Sequence, residues 1–190
     1  MRTRVIADWF LWADHQSVRP SVTNMKLQKL VYLAESCYGD LTGGALVDDP
    51  IQAWDHGPVV KPLYGMLKRN GSAVIDGPDR EPELPEEVRD VLETIWDYFG
   101  GMTAAALRNL THTVGPYINH FHDDARDTIL PADEIHDAWP EFLASATETQ
   151  QPSGPARARL QRIASDARTE PAEDVNVDQL LADYHAFART

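Results

Sequence analysis

Seven histidines in a chain of 190 residues are the first candidates for chemistry, and four of them, His112, His120, His122 and His136, fall close together. His120-Phe121-His122-Asp123-Asp124, with His112 before it and His136-Asp137 after it, has the residue types of a helical phosphohydrolase, where a bound ion lowers the pKa of water toward neutrality. The spacing argues against this. Residues two apart on a helix point about 200° from each other, so His120 and His122 cannot face one ion unless the helix has ended. A metal-dependent phosphohydrolase using His112, His122 and Asp123 is kept as the alternative function. No Gly-rich phosphate loop is present, because Leu41-Thr42-Gly43-Gly44-Ala45 and Phe99-Gly100-Gly101-Met102 lack the spacing and the Lys-Ser/Thr that one requires. There is no nucleophile elbow either. Cys37 is the single cysteine; with no base placed beside it, it reads as a small buried hydrophobe. The carboxylate runs Glu81 to Glu87 and Asp123 to Asp127 read as solvated faces. The expectation is a protein with no catalytic residues, no metal and no cofactor.

Two other segments stand apart. Trp54-Asp55-His56-Gly57-Pro58-Val59-Val60 and Thr111-His112-Thr113-Val114-Gly115-Pro116-Tyr117 each combine an aromatic, a histidine and a Gly-Pro that reads as opening a helix. Freed N–H groups at a helix start, with a histidine beside them, can hold an acceptor. The same residues can equally be turns whose rings fill the core.

Apolar spacing at three and four residues dominates the chain that must position these segments. A first helix is expected over about 3–14, with Val5, Trp9 and Trp12 on one face and Ile6, Phe10 and Ala13 widening it. A second is expected from a cap at Asn24 to about Tyr38, stopped by Gly39, with Leu27, Leu30, Val31, Ala34, Cys37 and Tyr38 inward and Lys26, Gln28, Lys29 and Glu35 on the other faces. Ile51-Gln52-Ala53-Trp54 alternates like a short strand, and Ala73-Val74-Ile75 is its expected partner, with a helix over Val59 to Arg69 between them. Further helices are expected at 86–99, with Val88, Val91, Leu92, Ile95 and Phe99 inward, from Thr103 to about Leu110, from Pro116, and over 132–146 with a break near Pro140. The fold class is mainly α (α+β), a compact helical domain of about six to seven helices with a small two-stranded β element, followed by two C-terminal helices. The domains are 1–147, a linker at 148–155 with Pro-Ser-Gly-Pro composition, and a helical extension at 156–190. The last helix carries Leu180, Leu181, Tyr184 and Phe187 at helical spacing. Isolated helices this short are marginal in water, so the extension needs something to pack on.

Composition narrows the partners. There are 17 Lys+Arg against 30 Asp+Glu, a formal charge of −13, with 43% apolar residues. Residues 120–190 hold 6 basic and 14 acidic residues and no lysine. Such acidity repels a polyanion and disfavours nucleic acid, whose phosphates draw on clustered Lys and Arg; it suits a basic protein partner. A DNA-binding autoregulator would need a basic recognition helix, which is missing. No segment has the ~18 consecutive apolar residues of a membrane span, so no membrane is expected. One cysteine gives no disulfide framework, and Asp8 interrupts the apolar start that would otherwise look like a signal peptide, so the expected location is cytoplasmic.

Thr23-Asn24-Met25-Lys26-Leu27-Gln28-Lys29-Leu30-Val31-Tyr32-Leu33-Ala34, then Asp49-Pro50-Ile51-Gln52-Ala53-Trp54-Asp55-His56-Gly57-Pro58-Val59-Val60, then Tyr64 with Gly71, and Leu110-Thr111-His112 with Gly115-Pro116 resemble the Panacea-domain antitoxins, the SocA-like and phage-associated GepA-like group. Order and spacing agree from about residue 5 to about residue 143. Tyr117 stands where the family usually has tryptophan. The resemblance implies a non-catalytic antitoxin of a type II toxin–antitoxin system that neutralises a cognate toxin, encoded by a neighbouring gene, through direct protein binding. One member hands its toxin to a cytosolic protease, which the motif itself does not imply. The residues expected to mark the partner surface or its support are Lys26, Gln28, Lys29, Trp54, His56, Gly57, Pro58, Tyr64, Thr111, His112, Gly115, Pro116 and Tyr117, with Leu180, Leu181, Tyr184 and Phe187 as a secondary contact helix.

Overall fold

The computed structural model describes residues 2–122 and 127–149, together with Ala158, Arg159 and Arg162. Two helices begin the chain, α1 (Arg2–His15) and α2 (Asn24–Thr42). Thr23 caps α2, its hydroxyl accepting from the Lys26 N–H at 3.3 Å, and Gly43 closes it at φ 72°. The helix therefore runs one turn past the expected stop. Gly39 lies inside it and serves space instead: a Cβ there would come within 2.0 Å of the His136 ring.

α2 is the centre of the molecule. Leu27, Leu30, Val31, Ala34 and Cys37 are fully buried, as their spacing requires, and Tyr38 is half-buried. Lys26, Gln28, Lys29 and Glu35, expected on outward faces, are buried too, none more than 3% exposed. A helix surrounded on all sides has no outward face to give them. α1 packs on it, with Ile6, Phe10 and Leu11 buried in the common core. The remaining elements follow in chain order: β1 (Ile51–Trp54), β2 (Gly57–Val60), α3 (Lys61–Leu67), α4 (Glu86–Phe99), α5 (Ala104–Thr113), α6 (Tyr117–His120), β3 (Thr128–Ile129), α7 (Ala132–Asp137) and α8 (Trp139–Thr149). α4 has the expected bounds and the expected inward set, Val88, Val91, Leu92, Ile95 and Phe99. Each such side chain taken out of water contributes about 1.5–3 kcal/mol. The helix expected over 132–146 is two, separated at Ala138, with Pro140 in the first turn of α8, where its missing N–H has no helical partner to lose.

The fold is mainly α with a small antiparallel sheet, and the sheet differs from expectation in membership. It has three strands in the order β2-β1-β3, with Ile51 opposite Val60, Trp54 opposite Gly57 and Gln52 opposite Ile129. Pro58, Val59 and Val60, expected to open a helix, form the edge strand β2, a position where proline costs no ladder bond and β-branched side chains pack well. The helix starts afterwards, at Lys61, with Pro62 in its first turn. Val74 does not reach β1: it bridges Thr23, and the Ile75 N–H donates to the Val22 carbonyl at 2.9 Å.

Glu86, Asp90, Glu93 and Asp97 recur along one face of α4. Arg159 pairs with Glu93 at 3.2 Å and with Asp97; Arg162 pairs with Asp90 and with Glu86 at 3.7 Å. Arg159 and Arg162 thus lie against α4. Residues 148 and 149 continue α8; the rest of the expected linker, and the helix bearing Leu180, Leu181, Tyr184 and Phe187, lie outside the described residues. Among the described residues no helix is long and apolar enough to cross a membrane.

The contact at Gly39 carries a test. Alanine is the better helix former by about 1 kcal/mol, but overpacking costs about 1–3 kcal/mol and would also displace His136 from Glu35. Gly39→Ala should therefore lower the unfolding free energy in urea, and should cost nothing further once His136 is alanine. An equal cost in both backgrounds would place the strain elsewhere.

Candidate functional site

The β1–β2 hairpin turns at Asp55-His56, with Trp54 opposite Gly57, and Gly57 follows at φ 94°, a conformation that favours glycine. Its outer strand would present an open edge, and side chains of α2 take up the groups there. The Val60 N–H donates to Gln28 Oε1 at 2.8 Å, and the Lys29 ammonium donates to the Pro58 carbonyl at 2.8 Å. Gln28 is held in turn by its amide donating to Asn24 Oδ1 at 3.3 Å. The approach is close: a Cβ on Gly57 would lie 2.8 Å from Lys29 Cε and 3.1 Å from Thr111 Oγ1. The second motif is fastened to the first, because the Tyr117 hydroxyl donates to the Trp54 carbonyl at 2.8 Å. His112 lies over Tyr117 at 4.2 Å between ring centres, and Tyr117 stacks on Phe121 at 5.1 Å.

Beside the hairpin is a groove of about 580 Å³. Trp54 and Tyr64 meet edge to face at 5.0 Å on its wall, Met25 and Val59 add apolar surface, and Gln28 and Lys29 lie at its base, with His56 and Lys68 also lining it. Tyr64 is 38% exposed although large and aromatic. This is the size and make-up of a ligand or side-chain pocket, apolar walls with a few placed polar groups.

Residues 27–117 match the family model of the antitoxin SocA-like Panacea domain. This stretch is a Panacea domain. It runs from α2 to the first residue of α6 and contains the hairpin, α3 to α5 and most of the groove lining. No curated protein and no solved structure matches the chain.

Two basic groups beside the hairpin are held below their ordinary values. Burial pulls the Lys29 ammonium down to about 7, and the nearby Arg108 guanidinium adds to the effect. Burial likewise pulls His112 down to about 4, assisted by Arg108, Lys29 and His56. His112 Nε2 and Arg108 Nε are buried without a hydrogen-bond partner. Arg108, one turn before His112 on α5, was not singled out from the sequence, although its i, i+4 spacing from His112 puts both on one helix face. Met25, Asp55, Lys68 and Asp127 of the groove were also missed; only the tertiary fold brings them together.

Not every expected residue is at the groove. Lys26 points the other way, donating to Ser21 Oγ at 2.8 Å and the Gly100 carbonyl at 2.6 Å with Trp96 5.8 Å away, so it ties the start of α2 to the end of α4. Gly115, at φ 84°, admits the Tyr32 hydroxyl and Phe142, and Pro116 caps α6, the one Gly-Pro that does open a helix. The histidines expected around a metal are engaged separately. His120 meets Glu134 at 2.9 Å and His136 meets Glu35 at 3.0 Å. Among the described residues no three His, Cys, Asp or Glu side chains are grouped to hold an ion, and Asp123 lies outside them. Cys37 is fully buried, its thiol pushed up by burial, as a small hydrophobe should be.

Lys29 and His112 give pH effects of the same sign in different windows. Between about pH 7 and the ordinary lysine value of 10.5 the unfolded chain holds a proton that the folded Lys29 has shed, so stability should rise with pH there. Between pH 6.5 and about 4 the unfolded chain protonates its residue 112 while the folded one does not, so stability should fall with acid. Urea midpoints should lose the alkaline rise in Lys29→Met and part of the acid loss in His112→Gln.

Proposed function

We propose that this protein is the antitoxin of a type II toxin–antitoxin pair, a non-catalytic cytoplasmic protein that neutralises a toxin encoded by a neighbouring gene by binding it directly. The observation that carries the reading is that the Panacea match encloses the groove built from the motif residues. Its support is a division of labour among those residues. Lys26, Gln28, Lys29, Gly57, Pro58, Thr111, Gly115, Pro116 and Tyr117 hold the hairpin and its neighbours, which leaves Trp54, His56 and Tyr64 to meet the partner. An aromatic pair on a pocket wall is the kind of anchor that dominates protein interfaces. The net charge of −13 favours encounter with a basic toxin. Domain division near 148–155 is part of the proposal, with Glu148 and Thr149 still in α8, and the segment with Leu180, Leu181, Tyr184 and Phe187 is assigned a secondary contact. Delivery of the bound toxin to a cytosolic protease would use the same contact, with the groove occupied and another face turned to the protease.

Co-expression with the adjacent open reading frame tests this. That gene should be toxic alone, harmless with this protein, and its product should co-purify with it. The reading is lost if the gene is harmless alone or its product is not captured. Trp54→Ala with Tyr64→Ala should weaken capture by about 2 kcal/mol or more, roughly 30-fold, with the helical circular dichroism unchanged. Raising salt should weaken it further if the −13 charge takes part.

A further inference from the structure

We infer that the groove receives a carboxylate from the partner, an Asp or Glu side chain of the toxin set beside an apolar residue. The inference rests on the reading of the groove as the partner's site. An ammonium carries three donors, and Lys29, 1% exposed at the base of the groove, makes one hydrogen bond, to the Pro58 carbonyl. It forms no ion pair with a described residue; the charged groups around it are Arg108 and His112 from α5, His56 and Asp55 from the hairpin turn, and Lys68 beyond α3. Four of these five are basic, and Arg108 Nε and His112 Nε2 are buried without partners. Of the carboxylates that line the groove, Asp127 is taken by Lys61 at 2.8 Å, and Asp55 is exposed at the turn. A buried, underused ammonium beneath an aromatic pair suits one anionic group on an apolar body. Two free donors match the two oxygens of one carboxylate, and the charge-assisted bond is strong where water is excluded. A phosphodiester chain fits poorly, because the −13 surface repels a polyanion before it reaches the site. Trp54, Tyr64, Met25 and Val59 would cover the apolar neighbour.

The probes are the capped dipeptides acetyl-Phe-Glu-amide and acetyl-Phe-Gln-amide, and inorganic phosphate, titrated into the full chain while the Trp54 indole and His56 ring signals are followed by NMR. The Glu peptide should bind with a millimolar dissociation constant, and the Gln peptide at least about ten-fold more weakly, a ratio of the size that a charge-assisted bond supplies. That ratio should shrink from about pH 6 to about pH 8.5 as Lys29 loses its proton, a measurement on the wild-type chain that does not depend on a variant folding. In Lys29→Met the two peptides should bind alike. Equal binding to the wild type, no binding at about 10 mM, a ratio indifferent to pH, or tighter binding of phosphate would each overturn the inference. Toxin capture is read separately. Capture without a Glu preference overturns this inference alone, whereas a Glu preference without capture supports the carboxylate site and removes the antitoxin reading.

Discussion

A helix buried on every side must find partners for each polar group it carries, and α2 carries several. Desolvating an unpaired polar side chain costs on the order of 1–3 kcal/mol and a charge costs more, so the core tolerates Lys26, Gln28, Lys29, Glu35 and Ser36 only because each is bonded. The partners share a feature. They are backbone groups of segments that regular secondary structure leaves unsatisfied: the Gly100 carbonyl after α4, the Pro58 carbonyl and Val60 N–H on the edge strand, the Ile135 carbonyl in α7, and the Leu46 and Val47 N–H groups, both given to Glu35 at 2.9 Å. α2 is thus a post from which the connecting segments are hung. The burial cost of its polar groups and the unmet bonds of the loops cancel only when both are in place, which makes the arrangement specific as well as stable.

The same constraint decides what could be read in the sequence. α4 was legible to the residue because Val88, Val91, Leu92, Ile95 and Phe99 keep a helical spacing and all face the core. α2 was legible as a helix but not in its burial. Its polar residues look like an outer face until the segments that cover them are known, and those reach from Ser21 to His136. The hairpin was half legible. Ile51 to Trp54 alternates, but β2 is four residues led by Gly-Pro, a pair that announces a helix start equally well. The distinction lies in Gln28 and Lys29, thirty residues earlier, which supply the bonds an edge strand lacks. β3, two residues long and paired with Gln52 and Ala53 of β1 through Ile129 and Thr128, left no local trace.

The candidate site follows the same division. Trp54, His56 and Tyr64 were picked out by residue type, as aromatics and a histidine in a short motif. Arg108, Met25 and Lys68 carry no such mark, and only the packing of α5 and α3 around the hairpin brings them near. The histidines that drew attention first, His120 and His136, turn out to hold α6 and α2 to α7 through Glu134 and Glu35. Histidine–carboxylate pairs of this kind can look like a metal site in sequence, because the residue types are the same and only the grouping differs.

Charge gives the site its direction. A chain at −13 would be expected to offer acid to its partners everywhere, and α4 does, in the stripe that Arg159 and Arg162 already occupy. At the hairpin basic groups gather, with Lys29, His56, Arg108 and His112 close together. Burial draws Lys29 and His112 toward neutrality, and the like charges packed beside them add to the effect. The cost of charging them falls when an anion enters, so a ligand's binding and the protonation of Lys29 reinforce each other. A partner that is basic overall would be attracted by the whole surface, and one acidic side chain on it would then be selected by the groove. Long-range charge would set how often the two proteins meet, and the buried ammonium would set in which orientation they stay.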